Sequence, residues 1–213
     1  ENPKSQMKIA AALLSMLERC RTEQTTRSPV LAEWACRTLS NFRDRGNREF
    51  DLFLQDEKTL LVLLSIVEPG PTSDRRVNEE VMGVLGSLSK AQSSARRAIL
   101  QAGGLELVLA VAAAEASAVS SVLTEQALAV ATDLVRSLRL DVHGVAAIPA
   151  CLCSLLASPE QKIRQKTLEL TCALVTIYNG ASDPIMALLE ASARSLPRFL
   201  LNSVRDDTAT CVA

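Results

Sequence analysis

The sequence predicts an all-α fold in which one helical unit is repeated along the chain. Apolar residues recur at spacings of three, four and seven in four separate stretches, which indicates amphipathic helices. Leucines also recur along the chain, at Leu17, Leu63, Leu109, Leu155 and Leu200. The intervals between these leucines are 46, 46, 46 and 45 residues, a period that is typical of stacked helical repeats.

Four stretches predict the long helix of each unit. They begin at Ala32, Val77, Leu123 and Ile163, and they read AEWACRTLSNF, VNEEVMGVLGSL, LTEQALAVATDL and IRQKTLELTCAL. The same period links positions within them, because Ala35, Val81 and Ala127 are again 46 residues apart. The fourth stretch places Thr167 at this position, 40 residues after Ala127.

Helix-breaking residues separate the predicted helices. Glu68–Asp74, EPGPTSD, is expected to be a loop, and Asn179–Pro184, NGASDP, interrupts the chain again. Ser158 is expected to cap a helix whose first residue is Pro159. The Gly103–Gly104 pair is expected to make a sharp corner, because glycine tolerates a positive φ.

Three of these segments carry a resemblance to a known family. Ala98–Val111, AILQAGGLELVLAV, resembles the turn between the first two helices of an armadillo repeat, and Ser158–Val175 is similar to its loop and third helix. Trp34–Phe42, WACRTLSNF, resembles that third helix with its terminal Asn. The resemblance runs from about Met7 to about Arg205. It implies a right-handed α-solenoid of about four armadillo-like repeats with partial repeats at both ends, and HEAT-like packing is the near alternative.

We expect a single helical repeat domain over residues 1–205 and a C-terminal tail over residues 206–213. The units are placed near residues 7–45, 46–90, 91–139, 140–179 and 181–205. Each complete unit is expected to contain a short helix, such as Ala91–Gln101, then a medium helix and a long helix. Neither end has the polar cap that a solenoid needs, so we expect a longer parent protein or ends closed by self-association.

Composition narrows the classes of partner and location. Lys and Arg number 23 and Asp and Glu number 24, which argues against a nucleic-acid binder because such proteins need a basic face. No apolar run reaches about 18 residues, so no membrane span is expected. Six cysteines, expected to be reduced thiols in the core, favour an intracellular location, cytoplasmic or nuclear. They are Cys20, Cys36, Cys151, Cys153, Cys172 and Cys211.

No pattern in the sequence predicts an enzyme. His143 is the single histidine, and no neighbouring Cys or Ser suggests a nucleophile pair, so it is expected to be solvated or to cap a helix. The Gly103–Gly104 pair lacks the spacing and the lysine of a phosphate-binding loop. The cysteine spacing does not suit zinc. We therefore expect no catalytic residue, no metal and no cofactor.

The resemblance implies that the long helices line a concave groove, which binds an extended peptide or a helix of another protein. The core stripe of the first long helix is predicted to be Leu31, Ala35, Leu39 and Phe42. Trp34, Arg37 and Asn41 then share an adjacent face, and this composition is typical of a binding hot spot. Packing of Trp34 against the preceding helix is an equal alternative. The further groove residues are predicted to be Glu80, Ser87, Lys90, Asp133 and Arg136, and Glu125 is expected near them.

The leading functional hypothesis is a non-enzymatic scaffold or adaptor that binds another protein in this groove. A chaperone cofactor that promotes nucleotide exchange is one alternative, because some armadillo proteins act in this way. A structural block that self-associates through its open ends is another. A nucleic-acid-binding solenoid is disfavoured by the formal net charge of −1.

Overall fold

The computed structural model describes residues 3–22, 29–43, 48–70, 74–91, 93–116, 122–136 and 148–178, and in these ranges the fold is all-helical, as predicted. The helices there are α1 (Pro3–Thr22), α2 (Pro29–Arg43), α3 (Arg48–Leu54), α4 (Glu57–Ser65), α5 (Arg75–Ala91), α6 (Ser93–Gln101), α7 (Gly104–Ala114), α8 (Val122–Val135), α9 (Ile148–Leu156) and α10 (Gln161–Tyr178). The predicted unit 181–205, the tail 206–213, Leu200 and His143 lie outside the described residues.

The helices follow a recurring order of lengths. The short α3 is followed by the medium α4 and the long α5, with 7, 9 and 17 residues. The same order recurs in α6, α7 and α8, with 9, 11 and 14 residues. The pair α1 and α2 precedes these two triplets, and the pair α9 and α10 follows them. The order matches the unit of short, medium and long helices that the sequence predicts.

The long helices pack against one another in chain order. Helix α2 contacts α5, α5 contacts α8, and α8 contacts α10. Among the remaining helices, α1 contacts α4, and α7 contacts α9. Two ion pairs join α2 to α5, Glu33–Arg76 and Arg37–Glu80, and their partners differ by the same number of residues. Helices α2 and α5 therefore run in the same direction.

The recurring positions of the sequence lie in the core. The leucines Leu17, Leu63, Leu109 and Leu155 are fully buried, and so are the long-helix positions Ala35, Val81, Ala127 and Thr167. The Thr167 hydroxyl donates a hydrogen bond to the Ile163 carbonyl over 2.7 Å, so this polar side chain is satisfied inside the core. The 46-residue period thus places equivalent side chains in equivalent buried positions.

The glycine corner between α6 and α7 uses its two glycines differently. Gly103 has a φ of 77°, the left-handed conformation that glycine adopts most readily. Gly104 is needed for close approach, because a Cβ there would clash with the Ile99 side chain and lie 2.8 Å from the Ile99 carbonyl oxygen. The sequence predicts the positive φ, and the structure adds the steric requirement.

The start of α10 differs from the prediction. The helix begins at Gln161, so Pro159 precedes the helix and is not its first residue. The buried Ser158 hydroxyl oxygen accepts a hydrogen bond from the Glu160 amide over 3.3 Å and donates one to the Ala116 carbonyl over 2.9 Å. Ser158 therefore belongs to a turn that precedes α10, and its hydroxyl also connects this turn to the segment that follows α7.

The cysteines are only partly the core residues that the sequence predicts. Cys36 is buried. Its burial is the main cause that raises the pKa of its thiol to about 12, and the nearby Glu80 charge adds to this effect. Cys151 and Cys153 are half-buried, and burial raises the pKa of Cys151. Cys172 corrects the prediction, because it is exposed on the side of α10 that also carries Glu169. The side chain of Cys20 and all of Cys211 lie outside the described residues.

Among the helices of the described ranges, none by itself has both the length and the apolar character that crossing a membrane requires. Helices α6 and α7 meet the length and composition criteria only as a pair, and that pair is bent by 78° at the glycine corner. Helix α7 buries Leu105, Val108 and Leu109 inside the helical array.

Candidate protein-binding surface

The solvent-exposed sides of α2, α5, α8 and α10 adjoin one another, because these helices pack in sequence, and we call this surface the long-helix face. In α2, α5 and α8 its residues recur every 46 positions and are exposed or half-exposed at each recurrence. Its rows are Trp34, Glu80 and Gln126; then Arg37, Gly83 and Ala129; then Asn41, Ser87 and Asp133. Helix α10 contributes Lys162, Gln165 and Glu169.

The α2 part of the face is apolar and exposed. Trp34 is 59% exposed, so it does not pack into the core against the preceding helix. Leu31 corrects the predicted core stripe, because 44% of it is exposed. Ala32 takes its place in the core, since residues 32, 35 and 39 share one side of the helix and residue 31 lies on the Trp34 side. Val30 extends the exposed apolar patch.

Arg37 and Glu80, which the sequence assigns to the groove independently, are brought together. The Arg37 Nε atom donates to Glu80 Oε1 over 2.9 Å, and its Nη2 atom donates to Glu33 Oε1 over 3.0 Å. The hydrogen bond to Glu80 and then the two nearby carboxylate charges raise the pKa of Arg37. Arg37 therefore links α2 to α5 on the solvent side. Asn41 is exposed one turn further along α2.

The remaining predicted residues lie towards the carboxyl-terminal ends of α5 and α8. Asp133 Oδ1 lies 3.8 Å from Arg136 Nη1, and Asp133 Oδ2 lies 3.4 Å from the Ser89 hydroxyl of α5. Ser87 is half-exposed and Lys90 is exposed, both on the solvent side of α5. The structure thus joins Asp133 to Arg136 and places Ser87 and Lys90 on the same face.

Two lysines of the face, Lys162 and Lys166, are not among the residues predicted near the groove, whereas Glu125 is. Glu125 of α8 lies 2.7 Å from Lys162 Nζ and 3.1 Å from Lys166 Nζ, both on α10. The hydrogen bond from Lys162 is the main cause that lowers the pKa of Glu125. The spacing of the two lysines by four residues indicates one side of α10, but their partner on α8 has no signal in the sequence of α10.

Small residues occupy the middle of the face on α5 and α8. A Cβ added to Gly83 would have no atom within 4 Å, so this position of α5 opens to solvent. Ala129 occupies the equivalent position of α8 and is half-exposed. The face combines an exposed aromatic side chain, an open position at Gly83 and charged side chains, and this arrangement can bind a partner through apolar, ionic and hydrogen-bond contacts.

Comparison with known proteins identifies no family for this chain. The sequence matches no protein-family model and no curated protein. Within the part of the chain that the structure describes, no group of three or more Cys, His, Asp and Glu could hold a metal ion. The function is therefore inferred from the residues of the long-helix face.

Proposed function

We propose that this chain is an armadillo-like right-handed solenoid of about four repeats that works as a non-enzymatic scaffold or adaptor. Its partner would be an extended peptide or a helix of another protein, bound on the long-helix face. The 46-residue period of buried leucines and the sequential packing of the long helices support the repeat architecture. The twice-repeated order of short, medium and long helices also supports it.

The observation that carries the binding role is the exposure of Trp34. Burying apolar surface is favourable by about 25 cal/mol per Å², so covering an exposed tryptophan would contribute favourably to the free energy of binding. Tryptophan and arginine are also enriched at binding hot spots. Val30 and Leu31, both exposed, enlarge the apolar surface around Trp34. A partner that covered these three residues would remove this surface from water.

The test compares variants that alter the long-helix face without weakening the fold. Trp34→Ala removes the exposed aromatic side chain, and Gly83→Leu fills the opening of α5 where no atom lies within 4 Å. Arg37 is less suitable, because it also links α2 to α5 through Glu80. Leu61→Ala is the matched control, since Leu61 is 47% exposed but lies on α4.

Each variant would be immobilised and used to capture proteins from a eukaryotic cell extract, with quantification by mass spectrometry. We expect specific partners that wild type and Leu61→Ala retain and that both Trp34→Ala and Gly83→Leu lose. Circular dichroism checks that every variant is folded. Partners retained equally by all variants would contradict the assignment of binding to this face.

A further inference from the structure

Acidic and basic side chains of the long-helix face differ in how far they reach into solvent. Four cationic side chains are between 57 and 78% exposed: Arg37, Arg76, Arg136 and Lys162. Their acidic partners are only between 17 and 23% exposed: Glu33, Glu80, Glu125 and Asp133. Arg75 and Glu79 are equally exposed, and Lys166 is half-buried. Glu169 of α10 is an exposed acid, and the exposed Lys90 of α5 balances it in number, so the difference remains.

This difference has a physical cause in the packing. Glu80, Glu125 and Asp133 each contact a residue of a neighbouring long helix, so they sit in the seams between helices. Arg and Lys side chains are longer, and they lay their aliphatic parts on the surface while their charged ends extend into water. An approaching partner meets the cations first, and Coulomb energy falls with distance. The near-neutral composition of the chain therefore conceals a cationic outer layer on this face.

Two of the cations, Arg37 and Arg76, lie next to the apolar patch. Arg37 lies one turn after Trp34 on the exposed side of α2. Arg76 of α5 reaches to within 3.9 Å of Glu33, the residue before Trp34. The opening at Gly83 lies one turn after Glu80, the carboxylate that Arg37 contacts. The chemical pattern is thus an apolar patch on α2 with positive charges next to it and an open position on α5.

We infer that the partner presents an acidic segment, in which carboxylates flank a bulky apolar side chain that enters beside Trp34. This inference rests on the proposed function, and it names the chemistry of the segment that the long-helix face binds. Partner carboxylates would pair with the exposed ends of Arg37, Arg76 and Lys162. A basic segment would instead meet these cations before it reached the recessed acids, and like charges at an interface oppose association.

The first test selects peptides from a random displayed library on the full wild-type chain, with counter-selection on Gly83→Leu. Peptides of about 16 residues suffice, because such a helix is about 24 Å long and neighbouring helix axes are about 8–10 Å apart. We expect the enriched peptides to be acidic and to contain Trp, Phe or Leu between the acidic residues.

The second test measures one enriched peptide, made synthetically, by fluorescence anisotropy. A charge reversal removes an exposed ion pair and replaces it with a repulsion of similar size, so we expect Arg76→Glu and Lys162→Glu each to weaken binding about two- to thirty-fold at low salt. The loss should shrink in about 0.5 M salt, because salt screens exposed charges. Lys58→Glu is the matched control: it makes the same charge reversal at an exposed position of α4, and it should leave the affinity unchanged.

The outcomes separate the two proposals. Basic or uncharged peptides that lose binding on Gly83→Leu would overturn the acidic segment and leave the proposed function standing. Failure to enrich any peptide, or peptides that bind Gly83→Leu and Trp34→Ala as well as wild type, would overturn the proposed function and this inference with it. Binding of single-stranded RNA that is lost in both Arg76→Glu and Lys162→Glu would assign the cations to nucleic acid and overturn the acidic segment.

Discussion

Two glycines of α5, one turn apart, are expected to respond differently to the same substitution. Gly83→Ala should raise the free energy of unfolding, whereas Gly86→Ala should lower it or leave it unchanged. A Cβ at Gly83 has no atom within 4 Å, but a Cβ at Gly86 would lie 3.3 Å from Val130 Cγ2 of α8. The difference between them therefore reports the contact of two neighbouring long helices.

The magnitude follows from two opposing effects. Replacing glycine by alanine inside a helix gains up to about 1 kcal/mol, because glycine has more backbone freedom to lose on folding. At Gly83 nothing opposes this gain, so we expect about 0.5–1 kcal/mol of stabilisation. At Gly86 the buried Val130 must move, and overpacking typically costs about 1–3 kcal/mol. Gly86→Ala should therefore be less stable than Gly83→Ala by about 1–3 kcal/mol.

Urea denaturation followed by circular dichroism measures both variants beside wild type. The midpoints should move in the expected order with an unchanged slope, since neither variant changes the surface exposed on unfolding. Thermal midpoints should separate by about 2–4 °C for each kcal/mol in a chain of this size. A Gly86→Ala variant as stable as Gly83→Ala would refute the close packing of α5 against α8 at this point.

Four further predictions follow from other parts of the structure. Gly104→Ala should lower the free energy of unfolding by about 1–3 kcal/mol, because the added Cβ would clash with Ile99 of the preceding helix. The same urea assay measures this change, and an unchanged midpoint would contradict the prediction. Cys36 should resist alkylation at neutral pH while the exposed Cys172 reacts, as mass spectrometry of the folded protein would show, and equal labelling would be evidence against burial. Burial raises the pKa of Cys36 to about 12, so the folded state favours its neutral thiol. The free energy of unfolding should therefore decrease as pH rises from 9.0 towards that value. Lys162→Met should raise the lowered pKa of Glu125, as NMR titration of its carboxyl carbon would show. The pairing of Glu125 stabilises the fold at neutral pH and is lost as pH falls through the acidic range, so this acid-dependent loss of stability should be smaller in the variant. An unmoved pKa would show that the pair does not form.

The core could be predicted because burial in this chain follows simple periodicities. Leu17, Leu63 and Leu109 are found by their spacing alone, and all three are fully buried. Ala35 and Val81 follow from the apolar side of an amphipathic helix. Hydrophobic character by itself was misleading at Leu31, because the helix turns this residue towards Trp34 and solvent. An exposed apolar residue beside a core stripe has the same sequence signal as a buried one.

The charged layer of the long-helix face could be predicted only in part. Helical spacing places Arg37 on the exposed side of α2, and Asp133 and Arg136 lie three residues apart on α8. The contact of Arg37 with Glu80 joins two helices, so its partner is decided by how α2 packs on α5. The low solvent exposure of Glu80, Glu125 and Asp133 also depends on how the long helices pack. For this reason the net charge of the sequence did not indicate the cationic outer layer.

The most direct test of the binding face is the affinity of Gly83→Leu for a partner captured by wild type, measured by isothermal titration calorimetry. Leucine fills the open position of α5, and it is also a better helix former than glycine. We expect affinity to fall at least about tenfold, a loss of about 1.4 kcal/mol, while the unfolding free energy stays the same or rises. An unchanged affinity in this folded variant would contradict the account, because the partner would then bind elsewhere on the chain.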